Sequence, residues 1–156
     1  MDGNGFGPKD NNKVEVRDDV LVFTGPAIGE PREVIGPVSL RLRVRGSNPD
    51  FDVFARLCDV DANGTSWNIC DGLLRLDGTR PADDAGWTEI EVPMSATAHR
   101  FGAGHRLRVQ VAGGAHPRWA RNTGAAEQIA TADALVAVDI EIDHCRTVLS
   151  LPVLPQ

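Results

Sequence analysis

Serine hydrolysis is the first chemistry that the side chains of this sequence suggest. The five serines and four histidines are Ser39, Ser47, Ser66, Ser95, Ser150, His99, His105, His116 and His144. An α/β-hydrolase presents its serine in a Gly-x-Ser-x-Gly turn between a strand and a helix, and no serine here lies in that motif. Because a triad is defined by geometry rather than by order in the chain, a triad of another kind stays open as an alternative. We expect these residues to lie at the surface or at strand ends instead.

Calcium binding is suggested by one acidic run, Asp59-x-Asp61-x-Asn63-Gly64, which matches the start of an EF-hand loop. Such a loop also needs a bidentate glutamate at its twelfth position and a helix on each side. The twelfth residue here is Cys70, and the flanks alternate like strands, so we predict a hairpin turn. The four histidines lack the spacing of a zinc site, and we expect neither a metal nor a cofactor.

The three cysteines, Cys58, Cys70 and Cys145, have no regular spacing. An odd number without a pattern does not make a disulfide framework. We therefore expect reduced thiols that behave as small hydrophobic side chains in an intracellular, cytoplasmic protein. A Cys58–Cys70 bridge across one hairpin stays open as the alternative.

Side chains suited to recognition are concentrated in residues 116–122. The candidate binding residues there are His116, Arg118, Trp119, Arg121 and Asn122. Loops on rigid scaffolds carry much of protein recognition, and tryptophan and arginine are enriched at interface hot spots. We predict a recognition loop here. The alternative is a locally packed loop in which Arg118 pairs with an acidic neighbour.

One domain must position these residues, since a chain of 156 residues suits a single hydrophobic core. Hydrophobic residues make up 42% of the chain, which excludes a disordered protein. The net charge of −6 argues against a nucleic-acid surface, and no apolar run is long enough to span a membrane. Residues 1–13 hold glycine, asparagine and charges, so we expect a linker there and the domain over 14–156.

Alternation of apolar and polar residues with a period of two runs through that domain and predicts half-buried strands. The runs are 20–23, 38–45, 52–60, 67–76, 87–92, 105–111, 134–143 and 147–153. The second run is the clearest, and its apolar side is Val38, Leu40, Leu42 and Val44. Short strands with turn-rich connections predict an all-β sandwich of two packed antiparallel sheets. Residues 124–134 have the composition of a short helix, and a loop suits them equally.

Three blocks, at 51–61, 101–109 and 115–122, resemble the C-terminal non-catalytic domain of the X-Pro dipeptidyl-peptidase / cocaine-esterase (CocE/NonD) family of serine hydrolases. Shorter segments at 19–24 and 71–75 also match, and all the matches have the order and spacing that they have in the family. The resemblance implies a jelly-roll sandwich that is similar to galactose-binding domains. In that family an α/β-hydrolase domain with the Ser-Asp-His triad and a helical cap precede the jelly roll. No part of this sequence resembles those two domains.

The resemblance implies an accessory domain that supplies no triad residue. It would pack on a catalytic α/β-hydrolase domain, in the same parent chain or separate, and would help to shape the active-site cleft. The 116–122 segment would dock there, at the rim of the cleft. The parent enzyme would cleave X-Pro dipeptides, or acyl esters and amides. Once isolated, the domain would expose an apolar patch, and it would self-associate or bind its missing catalytic part.

A stand-alone module that binds a carbohydrate or another protein is the alternative function. Jelly-roll folds often bind sugars by stacking them on aromatic rings. Aromatic residues are only 5% of this chain, tyrosine is absent, and the three tryptophans are far apart in sequence. We expect Trp67 and Trp87 to pack in the core or at an edge.

Overall fold

A computed structural model describes residues 7–125 and 131–155. In chain order its elements are α1 (Asn12–Glu15), β1 (Val20–Ala27), β2 (Arg32–Gly46), β3 (Asp50–Val60), β4 (Ser66–Asp77), β5 (Thr88–Phe101), β6 (Arg106–Ala112), β7 (Ile140–Ile142), a 3-10 helix (His144–Arg146) and β8 (Val148–Ser150). Sheet A has the strand order β1-β6-β3-β4. Sheet B has the order β5-β2-β7, and β8 also pairs with β2. All the pairings are antiparallel, so the predicted all-β sandwich is confirmed.

The hydrophobic core lies between the two sheets, and alternation along β2 builds one half of it. Val38, Leu40, Leu42 and Val44 are each at most 1% exposed, as their spacing predicted. The arginines between them face away from the core because neighbouring residues of a strand point to opposite faces. Strands β3, β4, β5 and β6 supply the other core residues, which include Phe51, Val53, Ala55, Leu57, Leu76, Ile90, Val92, Phe101, Val109 and Val111.

Three parts of the chain differ most from the strand prediction. Strand β2 begins at Arg32, six residues before the predicted start at Val38. Strand β5 continues to Phe101, well past the predicted end at Val92, because residues 97–101 pair with the first half of β2. The predicted strand at 134–143 is wrong except for Ile140–Ile142. Residues 131–139 run beside the sandwich without regular structure. The Val136 N–H donates to the Thr123 carbonyl, and Asp139 and Ser47 exchange two hydrogen bonds, so isolated contacts replace a strand ladder.

The short helix in the described residues is α1, not the 124–134 segment. Residues 126–130 of that segment lie outside the described residues, and 124–125 and 131–134 are not helical. Helix α1 begins inside the stretch expected to be a linker. There Asn11 is 4% exposed, and its backbone N–H donates to the Ser66 carbonyl at 2.8 Å. This end of the stretch is therefore packed on β4.

A glycine lets the edges of the two sheets meet. A Cβ atom on Gly72 of β4 would lie 2.0 Å from the carbonyl oxygen of Pro93 in β5 and 2.9 Å from its carbonyl carbon. Carbon and oxygen atoms that are not bonded normally stay more than about 3 Å apart, so no side chain fits between these backbones. The glycine is thus required where sheet A approaches sheet B.

The acidic run at 59–64 forms the predicted hairpin turn between β3 and β4. The carboxylate of Asp61 accepts hydrogen bonds from the backbone N–H groups of Asn63 and Thr65. Its other oxygen accepts from the indole N–H of Trp67 at 3.1 Å. These bonds, the one from Trp67 foremost, lower the pKa of Asp61. The φ of Gly64 is +86°, which suits the glycine of an Asn-Gly turn.

The cysteines are free, and the alternative Cys58–Cys70 bridge is wrong. Cys70 belongs to the core cluster between the sheets. Cys58 faces the other side of sheet A, where the Gln110 amide donates to its sulfur at 3.4 Å. Two side chains on opposite faces of a sheet cannot form a disulfide without moving the backbone.

We expect one fast-reacting thiol in the native chain. Burial raises the pKa of Cys58 to about 12 and that of Cys70 to about 11, and the thiolate is the reactive form of cysteine. Cys145 is exposed. A thiol-disulfide reagent at neutral pH should therefore modify Cys145 alone, and all three cysteines after denaturation. Rapid native modification of Cys58 or Cys70 would contradict their burial.

No helix in the described ranges is both long enough and apolar enough to cross a membrane.

Candidate docking site

The outer face of sheet A carries a set of charged side chains. Residues Asp52, Phe54 and Arg56 alternate with the core residues of β3 and therefore point outward. In β4, Arg75 lies opposite Asp52, and Asp71 lies opposite Arg56. Cross-strand partners stand close enough for opposite charges to pair. Strand register thus places two acid–arginine pairs on this face before any loop is added.

Asp52 anchors the loop that follows β6. Its side chain is 1% exposed, and its two oxygens accept from Arg75 Nε at 2.7 Å and Nη2 at 2.8 Å. Asn122 donates to the same carboxylate at 2.9 Å, and Arg75 donates to the Ala120 carbonyl at 2.8 Å. The hydrogen bond to Asp52 raises the pKa of Arg75. One buried carboxylate therefore fixes residues 120–122 on the sheet.

Asp71 is shared by two arginines. Its Oδ2 lies 3.3 Å from Arg56 Nη2, and its Oδ1 lies 2.9 Å from Arg118 Nη2. Arg56 also donates to the Asn11 side chain at 2.7 Å, while its Nε is buried and has no hydrogen-bond partner in the described part of the chain. Two guanidinium groups meeting one carboxylate leave one positive charge uncompensated at this point of the sheet.

Aromatic rings hold the same two arginines in place. The guanidinium of Arg56 lies 5.0 Å from the centroid of the Phe54 ring, and that of Arg118 lies 4.7 Å from the Trp119 ring. The two rings contact each other with centroids 5.6 Å apart. Cation–π contacts of this kind orient a guanidinium without neutralising it. The arginine heads are thus positioned for a further ligand.

Helix α1 covers the other side of this face. Glu15 accepts from Ser66 at 2.5 Å and from Gln110 at 2.7 Å, and it pairs with Arg108. The Glu15 side chain is nearly buried. Glu15 is the last residue of α1, and its contacts hold this single helical turn on the sheet. Hydrogen bonds from the sheet to a buried carboxylate explain why so short a helix is fixed there.

A groove of about 470 Å³ separates α1 from the loop, and we call it the arginine groove. Its charged lining residues are Arg17, Asp19, Arg56, Arg118 and Arg121, with His116 beside them, and its apolar lining includes Val14, Val20, Phe54 and Pro117. A second groove of about 680 Å³ adjoins it and shares Arg17, Asp19, His116 and Arg121. The lining of the arginine groove therefore combines arginine side chains with apolar side chains.

The structure brings the five residues proposed from the sequence together on this face. His116, Arg118 and Arg121 are exposed, Trp119 packs on Phe54, and Asn122 is bonded to Asp52. Arg118 does pair with an acidic residue, Asp71, as the alternative interpretation expected. The Arg118 side chain is still 58% exposed in that pair. Arg118 is therefore both packed against its own sheet and accessible to a partner.

Sequence reasoning missed the residues that support the loop. Phe54, Arg56 and Asp71 lie in strands, and Glu15 lies just after the stretch expected to be a linker. The alternation of β3 was a usable signal for Phe54 and Arg56, because both lie at positions that alternate with the core residues and so point to the outer face. No local signal marks Glu15, whose role depends on contacts with β4 and β6.

A second polar cluster joins the sheets at the far end of the sandwich. Asp59 is 4% exposed and contacts His99 Nε2 at 2.8 Å and His105 Nδ1 at 2.9 Å. Of the five serines, Ser66 donates to Glu15 and Ser95 donates to the Asp71 carbonyl. Among the described residues, no group of three acidic, histidine or cysteine side chains could hold a metal ion.

The tryptophans are engaged at three separate places. Trp67 bonds to Asp61 in the hairpin turn. Trp87 lies under the guanidinium groups of Arg43 and Arg45, at 5.1 and 5.0 Å, and Trp119 lies between Phe54 and Arg118. A sugar site needs an exposed ring face, and arginine side chains lie against the rings of Trp87 and Trp119. Both Trp67 and Trp87 are edge residues, in line with the expected packing role.

Comparison with known proteins agrees with this architecture. The chain is 36% identical over 130 residues to the cocaine esterase of Rhodococcus sp. (strain MB1 Bresler), and the match covers 80% of this chain and 23% of the esterase. The chain thus spans about a quarter of the length of that relative. It also matches the family described as the X-Pro dipeptidyl-peptidase C-terminal non-catalytic domain over residues 6–145.

Solved structures share the fold at lower identity. An α-amino acid ester hydrolase superposes with a TM-score of 0.82 at 23% identity, over 93% of this chain and 27% of the other. An aminopeptidase from a marine sediment archaeon, Thaumarchaeota archaeon, gives 0.81 at 21% identity, over 94% and 27%. A CocE/NonD family hydrolase from Staphylococcus aureus gives 0.57 at 16% identity, over 86% and 30%. With nearly its whole length matched by one family, this chain belongs to the X-Pro dipeptidyl-peptidase C-terminal non-catalytic domains.

Proposed function

We propose that this chain is the accessory domain of a serine hydrolase and that it docks on a catalytic α/β-hydrolase domain through the outer face of sheet A. The observation that carries the proposal is the state of the 115–122 loop. Asp52 and Asp71 fix it on the sheet, while His116, Arg118 and Arg121 stay exposed. A rigid loop with exposed arginines costs little conformational entropy when it binds.

Apolar side chains beside the loop support a protein partner. Val14 is 39% exposed, Val16 is 81% exposed and Leu21 is 44% exposed. Val14 lines the arginine groove, and Leu21 lines the groove that adjoins it. Exposed apolar residues around charged anchors are the composition of an interface whose partner is missing. We expect the isolated chain to self-associate weakly through this face.

The parent enzyme would hydrolyse X-Pro peptides, or acyl esters and amides, through an acyl-enzyme formed on a serine outside this chain. The names of the relatives, which include an esterase, an aminopeptidase and an ester hydrolase, cover this range. The domain would contribute apolar burial and restrict access to the cleft. A cytoplasmic location is part of the proposal, and the free thiols of Cys58 and Cys70 support it.

Reconstitution tests the proposal. The genomic reading frame upstream of the Met1 codon, and the neighbouring genes, would be read for a Gly-x-Ser-x-Gly hydrolase, and that catalytic region would be expressed and mixed with this chain. We expect a complex in sedimentation velocity. We also expect p-nitrophenyl ester or proline dipeptide anilide turnover only where the catalytic region is present, with fluorophosphonate labelling that region alone.

Three outcomes would count against it. Turnover by this chain alone, abolished by fluorophosphonate, would make it an enzyme. A strictly monomeric chain with no affinity for the catalytic region would remove the docking function. Retention on a glycan array by a chain that is inert in both assays would favour the stand-alone binding module.

A further inference from the structure

The arginine groove has too few acidic partners for its cations. Arg17 pairs with Asp19, and Arg56 and Arg118 share Asp71. Arg121 has no ion pair or hydrogen bond within residues 7–125 and 131–155. Within this groove two carboxylates therefore face four guanidinium groups, in a chain whose net charge is −6. Asp18, Asp52 and Asp139 line the adjoining groove, which Arg121 also reaches. The positive charge is a local feature of this groove and not a property of the whole surface.

The lining of the groove suits carboxylates that have apolar neighbours. Arginine presents parallel N–H donors that match the two oxygens of a carboxylate. Phe54 and Trp119 hold Arg56 and Arg118 in fixed orientations, which reduces the rotamer entropy lost on binding. Val14, Val20 and Pro117 line the same space, and a free phosphate or a small inorganic anion would leave these walls without contact.

We propose that the arginine groove receives an acidic segment of the catalytic domain, in which aspartate or glutamate alternates with apolar residues. The carboxylates of the segment pair with Arg118 and Arg121, and its apolar side chains contact Val14, Val20 and Pro117. This inference rests on the proposed docking function and names the chemistry of the docked segment. Rim charges of this kind set the specificity and rate of association more than the total area does.

A peptide titration tests the inference without the catalytic domain. The ¹⁵N-labelled chain would be titrated with acetyl-Leu-Glu-Val-Glu-Leu-amide and with the same peptide carrying glutamine for glutamate. We expect saturable amide shifts confined to residues 14–20, 54–56 and 110–121 with the acidic peptide only. Raising the salt from about 0.05 to about 0.5 M should weaken binding, since exposed charges are screened.

Matched variants assign the effect to the groove. Arg121→Gln should weaken peptide binding about tenfold, the effect of losing one charge-assisted interaction, and it breaks no ion pair within residues 7–125 and 131–155. Arg118→Gln should do the same. Arg41→Gln is the control, because Arg41 is exposed on the outer face of sheet B, and it should leave binding unchanged.

Several results would overturn the inference. These are equal shifts with the glutamine peptide, equal shifts with inorganic phosphate, shifts outside the groove, or no shifts at about 10 mM peptide, well above a millimolar dissociation constant. The sedimentation test separates this failure from failure of docking itself. A complex with the catalytic region that Arg118→Gln and Arg121→Gln leave unchanged would retain the docking function and reject the acidic segment.

Discussion

Replacing Gly72 with alanine is expected to lower the melting temperature by about 10 °C, which corresponds to about 3 kcal/mol for a domain of this size. In an open strand the same change would stabilise the chain by roughly 0.5–1 kcal/mol, because glycine loses more backbone entropy on folding. Here the new Cβ would lie 2.0 Å from the Pro93 carbonyl oxygen. Backbone cannot rotate away as a side chain can, so the steric cost exceeds the entropic gain.

The matched control for Gly72→Ala is Gly29→Ala. A Cβ on Gly29 meets nothing within 4 Å, and its φ is not positive. This variant should melt at the wild-type temperature or slightly above it. Thermal unfolding followed by circular dichroism measures both variants. If Gly72→Ala melted like Gly29→Ala, the close approach of β4 to β5 would be wrong.

Replacing Asp52 with asparagine is expected to lower the free energy of unfolding by about 2 kcal/mol and to loosen the 115–122 loop. The amide keeps the size of the carboxylate but cannot accept both hydrogen bonds from Arg75 and a third from Asn122. Breaking a fully buried pair costs more, about 3–5 kcal/mol. The Arg75 side chain is 38% exposed, so water compensates for part of the loss.

Urea unfolding and limited trypsin digestion report these two effects separately. The loop carries Arg118 and Arg121, and once the anchor is lost trypsin should cut after them about tenfold faster. Asp19→Asn is the control, since Asp19 forms an ion pair with Arg17 in which both side chains are more than half exposed. It should change neither the unfolding nor the digestion. A protected loop in Asp52→Asn would show that Asp52 is not its anchor.

The sequence predicted the parts of the fold that follow from local periodicity. Val38, Leu40, Leu42 and Val44 alternate without interruption, and all four lie in the core. Asn63-Gly64 indicated the hairpin, and the structure has a positive φ at Gly64, which glycine accepts at no steric cost. The second half of β5 carried no such signal. It is a strand because the first half of β2 lies beside it, which is a tertiary contact that the local sequence does not reveal.

The candidate site divides in the same way. His116, Arg118, Trp119, Arg121 and Asn122 could be chosen from residue type and from their place between strands. Their anchors could not be chosen, because Asp52 and Asp71 reach the loop only through strand register and sheet packing. Helix α1 has four residues, too few to be helical by propensity, and depends on bonds from Glu15 to other strands.

The strand order of sheet A means that the sheet can be completed only late in synthesis. Strand β6 lies between β1 and β3 and pairs with both, yet it is made after five other strands. As the chain leaves the ribosome, β1 has no neighbour in its sheet until residues 106–112 emerge. Such distant pairings must be closed against chain entropy, which slows folding. Nascent chains of this domain therefore carry an unpaired strand for most of their translation.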